Sequence, residues 1–145
     1  MNINSIADWH QAARNYPDTQ AFNVQLGCHF EEISEMIEAL ESNNKDLATD
    51  LMLAYGSLVR IADSLKKGVA TVNIVDRKEF LDSLGDQVVT TIGTAYCANM
   101  DIVGALTEID QSNWSKFVDG KPVFDENGKI KKGPNYFTPT LEGMY

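Results

Sequence analysis

The stretch Phe30–Leu40, FEEISEMIEAL, decides the fold. Phe30, Ile33, Met36, Ile37 and Leu40 recur at helical spacing, and about 100° per residue gathers them into one stripe. Glu31, Glu35 and Glu38 fall roughly opposite that stripe, and Glu32 sits toward its edge. Glu32 and Glu35 are i, i+3 neighbours, so their carboxylates can converge on one point. Ala21, Gln25 and Cys28 continue the flank that carries them, small and polar residues suited to the wall of a pocket. Such a helix is either a solvated acidic face or a cation site. Like charges at i, i+4, such as Glu31 with Glu35, cost roughly a few tenths of a kcal/mol each. No Lys or Arg between Arg14 and Lys45 offsets them locally. The cation reading therefore needs a second acidic helix.

A chain of 145 residues with net charge −9 fits one compact domain and can bury a core. The acidic balance argues against nucleic acid and against anionic membranes as partners, and fits a protein that gathers cations. Cys28 and Cys97 form neither a CxxC pair nor a disulfide framework, which suggests a reducing compartment. Met1–Asn15 is polar, without the apolar centre of a secretory signal, and no apolar run approaches the ~20 residues of a membrane span. A cytoplasmic protein is expected.

Outward from the opening stretch, the spacing predicts five helices. Ser5 is expected to cap the first, which runs through about Arg14 with Ile6, Trp9 and Ala13 on one side. Pro17 marks a turn over Asn15–Asp18. The second helix runs from about Thr19 to Glu41 and breaks at Ser42, Asn43 and Asn44. The third spans about Asp46–Lys67 and closes on Lys66-Lys67-Gly68. Val69–Val75, VATVNIV, is β-branched, but a lone strand forms no sheet, so an extended connection is expected.

Asp76 with Glu79 opens a fourth helix, about Arg77–Met100. Gly85 and Gly93 inside it each cost about 1 kcal/mol relative to Ala, and small residues there would admit a neighbouring helix. Asp101 caps a fifth, about Ile102–Phe117. Beyond it, Asp119-Gly120 and Asn127-Gly128 are turn signals, and Pro122–Phe124 with Lys129–Lys131 predicts a small hairpin. The aromatic tail is expected along the outside of the helices. The expectation is a single all-α domain over 1–145: a four- to five-helix bundle with its core at about 5–117, then a hairpin and an extended tail over 118–145.

The fourth helix is the second acidic one. Glu79, Asp82 and Asp86 share a face, again either a solvated strip or a ligand set. Paired carboxylates on two long helices are a usual source of metal sites in bundles. All-oxygen donors favour Mg²⁺ or Mn²⁺ over zinc or copper. A di-iron site would want Glu-x-x-His, and neither His10 nor His29 follows a Glu at that spacing. No Gly-rich phosphate loop is present.

Glu31-Glu32-Ile33-Ser34-Glu35, followed by Asp82-Ser83-Leu84-Gly85-Asp86, resembles the all-α nucleoside triphosphate pyrophosphohydrolases, which include MazG, the α-helical dUTPases and phosphoribosyl-ATP pyrophosphatase. The C-terminal run SNWSKFVDGKPVFDENGKIKKGPNYF resembles the shorter MazG-like proteins of phages and bacteria, and the likeness extends from about Ala21 onward. It implies the all-α pyrophosphatase type of bundle, with Glu32, Glu35 and Asp86 as Mg²⁺ ligands and Glu31 assisting. Ser83 stands where the family carries Glu; Asp82 is the expected substitute, with Glu79 the alternative. Asn113 and Lys116 match an Asn-x-x-Lys element that touches the triphosphate, and Lys131, Lys132 and Tyr136 would close over the phosphates. Trp9 and Phe22 are candidates either for base stacking or for the core.

The reaction implied is magnesium-dependent hydrolysis of a nucleoside triphosphate to the monophosphate and pyrophosphate, with Glu35 or Glu32 as the general base. The resemblance also implies a homodimer or homotetramer, in the host cytoplasm if the chain is phage-encoded. A deoxynucleotide such as dGTP is the expected substrate, with dUTP, dCTP or a phosphoribosyl-ATP-like substrate as alternatives. The competing class is a non-catalytic acidic helical adaptor.

Overall fold

In the computed structural model, residues 3–14, 18–126 and 129–145 are described. The expected turn at Pro17 and the turn signal Asn127-Gly128 lie outside the described residues. The fold is all-helical: α1 (Ile3–Ala13), α2 (Thr19–Glu38), α3 (Lys45–Lys66), α4 (Arg77–Cys97) and α5 (Ile102–Trp114). Among the described residues there is no strand, and no helix is long and apolar enough to cross a membrane. Two compact units divide the chain, one formed by Pro17–Asn73 and the other by Met1–Tyr16 with Ile74–Tyr145.

The Pro17–Asn73 unit is a helical hairpin. Asp18 caps α2 by accepting from the Ala21 N–H at 2.6 Å, and Asn44 caps α3 by accepting from the Leu47 N–H at 2.9 Å. Gly27 is the point of closest approach. A Cβ there would stand 2.8 Å from Lys66 Cγ and 2.9 Å from the Ala62 carbonyl oxygen. That approach turns the face carrying Val24, Gly27, Glu31 and Ser34 toward α3, whose Ala62 and Leu65 are buried. The expected stripe is corrected accordingly: Met36 and Leu40 at its far end are exposed. α2 also stops at Glu38 rather than Glu41, because the Ala39 and Leu40 N–H groups turn back to Glu35 and Ile37 carbonyls.

The VATVNIV segment is extended, and buried Asn23 pins it. The Val72 N–H donates to Asn23 Oδ1 at 2.7 Å, and Asn23 Nδ2 donates to the Thr19 carbonyl at 2.9 Å. A buried amide satisfied on both sides costs little, whereas a truncated one would leave backbone groups unpaired.

In the other unit α1 lies against α5. Ser5 sits within α1 rather than capping it, and its hydroxyl donates to the buried Asp110 carboxylate at 2.6 Å. The Trp114 indole N–H donates to that same Ser5 oxygen at 3.3 Å. Phe117 is buried beneath Trp9 and Trp114. α4 opens on Asp76, which accepts from the Lys78 and Glu79 N–H groups, and ends at Cys97 because Asn99 takes a left-handed φ of 59°. No residue of α4 is buried. Its Gly85 and Gly93, expected to admit a neighbour, face open space among the described residues.

After α5, Asp119 and Gly120 form a tight turn at positive φ that pairs Val118 with Lys121. Phe124 and Ile130 form a second bridge, so the expected hairpin is reduced to isolated pairs. The tail does lie along the helices of its unit. Phe137 is held by two α5-end serines, and the Asp101 N–H donates to the Met144 carbonyl at 2.8 Å.

Candidate functional site

The acidic residues fall into two groups that belong to different units, so each is described on its own helix. On α2, Glu32 and Glu35 are exposed and Glu38 follows them on solvent-facing positions. Glu31 is different: it is partly buried, and Lys66 Nζ donates to its Oε1 at 2.5 Å. The local sequence holds no basic residue to offset α2, and the compensating charge arrives from α3. Lys66 is thereby drawn away from the helix-end role expected for it, while Lys67 pairs with Asp63 at 2.9 Å. On α4, Asp82 and Asp86 are exposed on successive turns, and Glu79 lies one turn earlier.

These donors suit a hard divalent cation by chemistry, because they are solvent-accessible carboxylate oxygens without thiol or imidazole among them. Among the described residues no three such side chains stand together as a metal-binding group. Each helix presents a pair.

Asn113, Lys116, Lys132 and Tyr136 belong to one unit. The sequence predicts α5 through Phe117, but its last residues tighten: the Lys116 N–H turns to the Asn113 carbonyl and the Phe117 N–H to that of Trp114. The tightened turn nearly eclipses residues three apart, and Lys116 Nζ donates to Asn113 Oδ1 at 2.6 Å. The tail then crosses this turn. A Cβ on Gly133 would meet the Lys116 carbonyl oxygen at 2.9 Å and Val118 Cγ2 at 2.8 Å, so only glycine fits there.

Beyond Gly133 the tail is latched by the serines of α5. Ser112 Oγ donates to the Phe137 carbonyl at 2.7 Å, and Ser115 Oγ accepts from the Phe137 N–H at 3.1 Å. This places Lys132 Nζ 4.6 Å from the centre of the Tyr136 ring, a cation–π contact. Hydrogen bonding of the Tyr136 phenol with Thr138, then with Ser112, and the neighbouring Lys132 charge hold its pKa below the usual 10.0. The ammonium groups of Lys116 and Lys132 and the Asn113 amide N–H are donors suited to an anion, whereas the Tyr136 phenol contributes its ring face to Lys132.

No family model, no curated protein and no solved structure matches the chain.

Several participants are not legible in the sequence. Lys66 is thirty-five residues from Glu31 and is brought there by the hairpin. Ser112 and Ser115 use their hydroxyls on the backbone of Phe137, and Gly133 matters for its missing Cβ, so no paired side-chain pattern marks them. Phe22 stays on α2, and Trp9 packs on Phe117, with ring centres 6.0 Å apart and planes at 25°. That stacking favours the core reading of Trp9 over base stacking.

Proposed function

We propose that the chain is a nucleoside triphosphate pyrophosphohydrolase that releases the monophosphate and pyrophosphate with the help of Mg²⁺ or Mn²⁺. The observation that carries this reading is the Lys116–Asn113 contact beneath the Gly133 crossing, with Lys132 and Tyr136 latched to the same helix end. On this reading the KGPNYF tail holds cationic groups where a polyphosphate can meet them.

On α2, Glu32 and Glu35 would ligate a cation; on α4, Asp82 and Asp86 would ligate one, with Glu79 as the alternative to Asp82. Glu31, paired with Lys66, would assist them. A cation so held would supply the charge that lets a triphosphate approach carboxylates, and would make a bound water more acidic. Glu35 or Glu32 accepts the proton of that water at a carboxylate oxygen. Lys116 and Lys132 bind non-bridging phosphate oxygens and stabilise the charge that grows on the departing pyrophosphate. The Asn113 amide orients the chain of phosphates. A deoxynucleotide such as dGTP is the proposed substrate, with dUTP, dCTP and phosphoribosyl-ATP-like compounds as alternatives.

The proposal extends to a homodimer or homotetramer in a cytoplasm. Leu81, Val89 and Tyr96 of α4 are 72 %, 68 % and 82 % exposed, and a helix this apolar gains most of its stability from packing. The same exposure would serve a non-catalytic adaptor, which is the second reading. Incubation with each ribo- and deoxynucleoside triphosphate, with Mg²⁺ and with EDTA, separates them. The enzyme reading expects metal-dependent pyrophosphate release that Glu35→Gln abolishes. Inertness toward the whole panel would leave the adaptor.

A further inference from the structure

Trp9 of α1 touches both ends of the Asn113–Lys116 pair. Its indole N–H donates to the Asn113 carbonyl at 3.0 Å. Lys116 Nζ lies 5.9 Å from the centre of its ring, within cation–π range. The opposite constraint comes from Phe117, which stacks on the indole and leaves it little freedom to turn. The Asn113 carbonyl belongs to the tightened last turn of α5 and also accepts from the Lys116 N–H at 3.2 Å, so the indole adds a second donor to it from outside the helix. One side chain thus bonds to the backbone of Asn113 and lies within cation–π range of the Lys116 ammonium, which in turn bonds to the Asn113 amide.

A lysine head group loses much freedom when it binds an anion, and ordering it in advance lowers that cost. We propose that Trp9 is a positioning residue for phosphate recognition, holding Asn113 and Lys116 in the arrangement that receives the pyrophosphate portion of the substrate. The proposal rests on the pyrophosphohydrolase reading. It assigns α1, which carries none of the acidic or lysine motifs, a direct part in substrate affinity.

The test uses the full chain with Trp9→Leu and Trp9→Phe, each checked for helicity and melting. Inorganic pyrophosphate is the probe, read by inhibition and by the Asn113 side-chain amide signal in ¹H–¹⁵N spectra. Trp9→Leu should raise KM and the pyrophosphate inhibition constant together, roughly tenfold, with kcat little changed, the pattern of lost binding shared by ground and transition states. The Asn113 amide shift on adding pyrophosphate should shrink in parallel. Trp9→Phe restores a ring without the N–H and should recover part of the affinity. If Trp9→Leu does not fold, Trp9→Phe decides alone, with a KM raised severalfold expected. A folded variant with wild-type KM and wild-type amide response overturns the role of Trp9 and leaves the enzyme reading standing. Activity lost only in proportion to folded protein, with KM unchanged, overturns it as well. A wild-type protein that neither hydrolyses triphosphates nor responds to pyrophosphate overturns the reading beneath it.

Discussion

Glu31 Oε1 accepts from Lys66 Nζ at 2.5 Å across the α2–α3 hairpin, both side chains partly buried. The pair neutralises the one carboxylate of the FEEISE stretch that faces α3 and leaves Glu32 and Glu35 on exposed positions. Partial exposure limits its worth to about 0.5–1 kcal/mol. Lys66→Met keeps the stem over Gly27 and removes the charge. It should lower stability in urea by about that amount, and the difference should shrink in high salt. A difference that salt leaves untouched would mean that the stem, not the charge, matters.

Gly27 sets how closely α2 and α3 approach. Alanine is normally the better helix former by about 1 kcal/mol. Here the added methyl would meet the Ala62 carbonyl at 2.9 Å, and backbone cannot swing aside as the Lys66 stem can. Overpacking of this kind costs about 1–3 kcal/mol. Gly27→Ala should therefore melt below wild type despite its propensity gain. An equal or higher melting temperature would show that the hairpin relaxes freely.

Tyr136 reports on the tail. Its hydrogen bonds with Thr138 and Ser112, with Lys132 nearby, favour the phenolate and lower its pKa below the usual 10.0. A depressed folded pKa contributes stability that is present above the unfolded pKa and is lost as pH falls through the folded value. In an alkaline absorbance titration the earliest tyrosinate signal should therefore belong to Tyr136. Tyr136→Phe should remove it, and Thr138→Val should delay it more than Lys132→Met does. An unchanged first phase in Tyr136→Phe would show that the latch is not formed in solution.

α4 has no buried residue, and its segment from Gln87 to Cys97 carries no charge. Such a face suits a second copy of the chain, since no like charges meet when it packs on itself. Sedimentation should show a dimer or tetramer, and Val89→Lys with Tyr96→Lys should yield a smaller species of unchanged helicity. A wild-type monomer would contradict the oligomeric part of the proposal.

Much of the fold is visible in local signals. Asp76 and Asp101 cap the helices that the sequence opens on them, and Asn44 caps α3 from the expected break; Asp18, read as part of a turn, caps α2. Helix ends are less visible, because Glu38, Cys97 and Trp114 end their helices through backbone turns of the residues that follow. Periodicity misplaces the packed face of α2, because it ranks Met36 and Leu40 as core. The absent Cβ of Gly27, which periodicity does not weigh, draws α3 to another side. Of the candidate site, Asn113, Lys116, Lys132 and Tyr136 are named by sequence pattern. The residues that hold them, Trp9, Ser112, Ser115 and Gly133, act through space or through carbonyls and amides. Such contacts between residues distant in sequence leave no short-range pattern.

Which phosphoanhydride bond is broken decides the function. Phosphorus-31 spectra of the wild-type protein with dGTP and Mg²⁺, repeated with the other triphosphates, distinguish the possible products directly. The account predicts dGMP or another nucleoside monophosphate rising together with pyrophosphate, and neither in EDTA. A nucleoside diphosphate appearing with orthophosphate would contradict it.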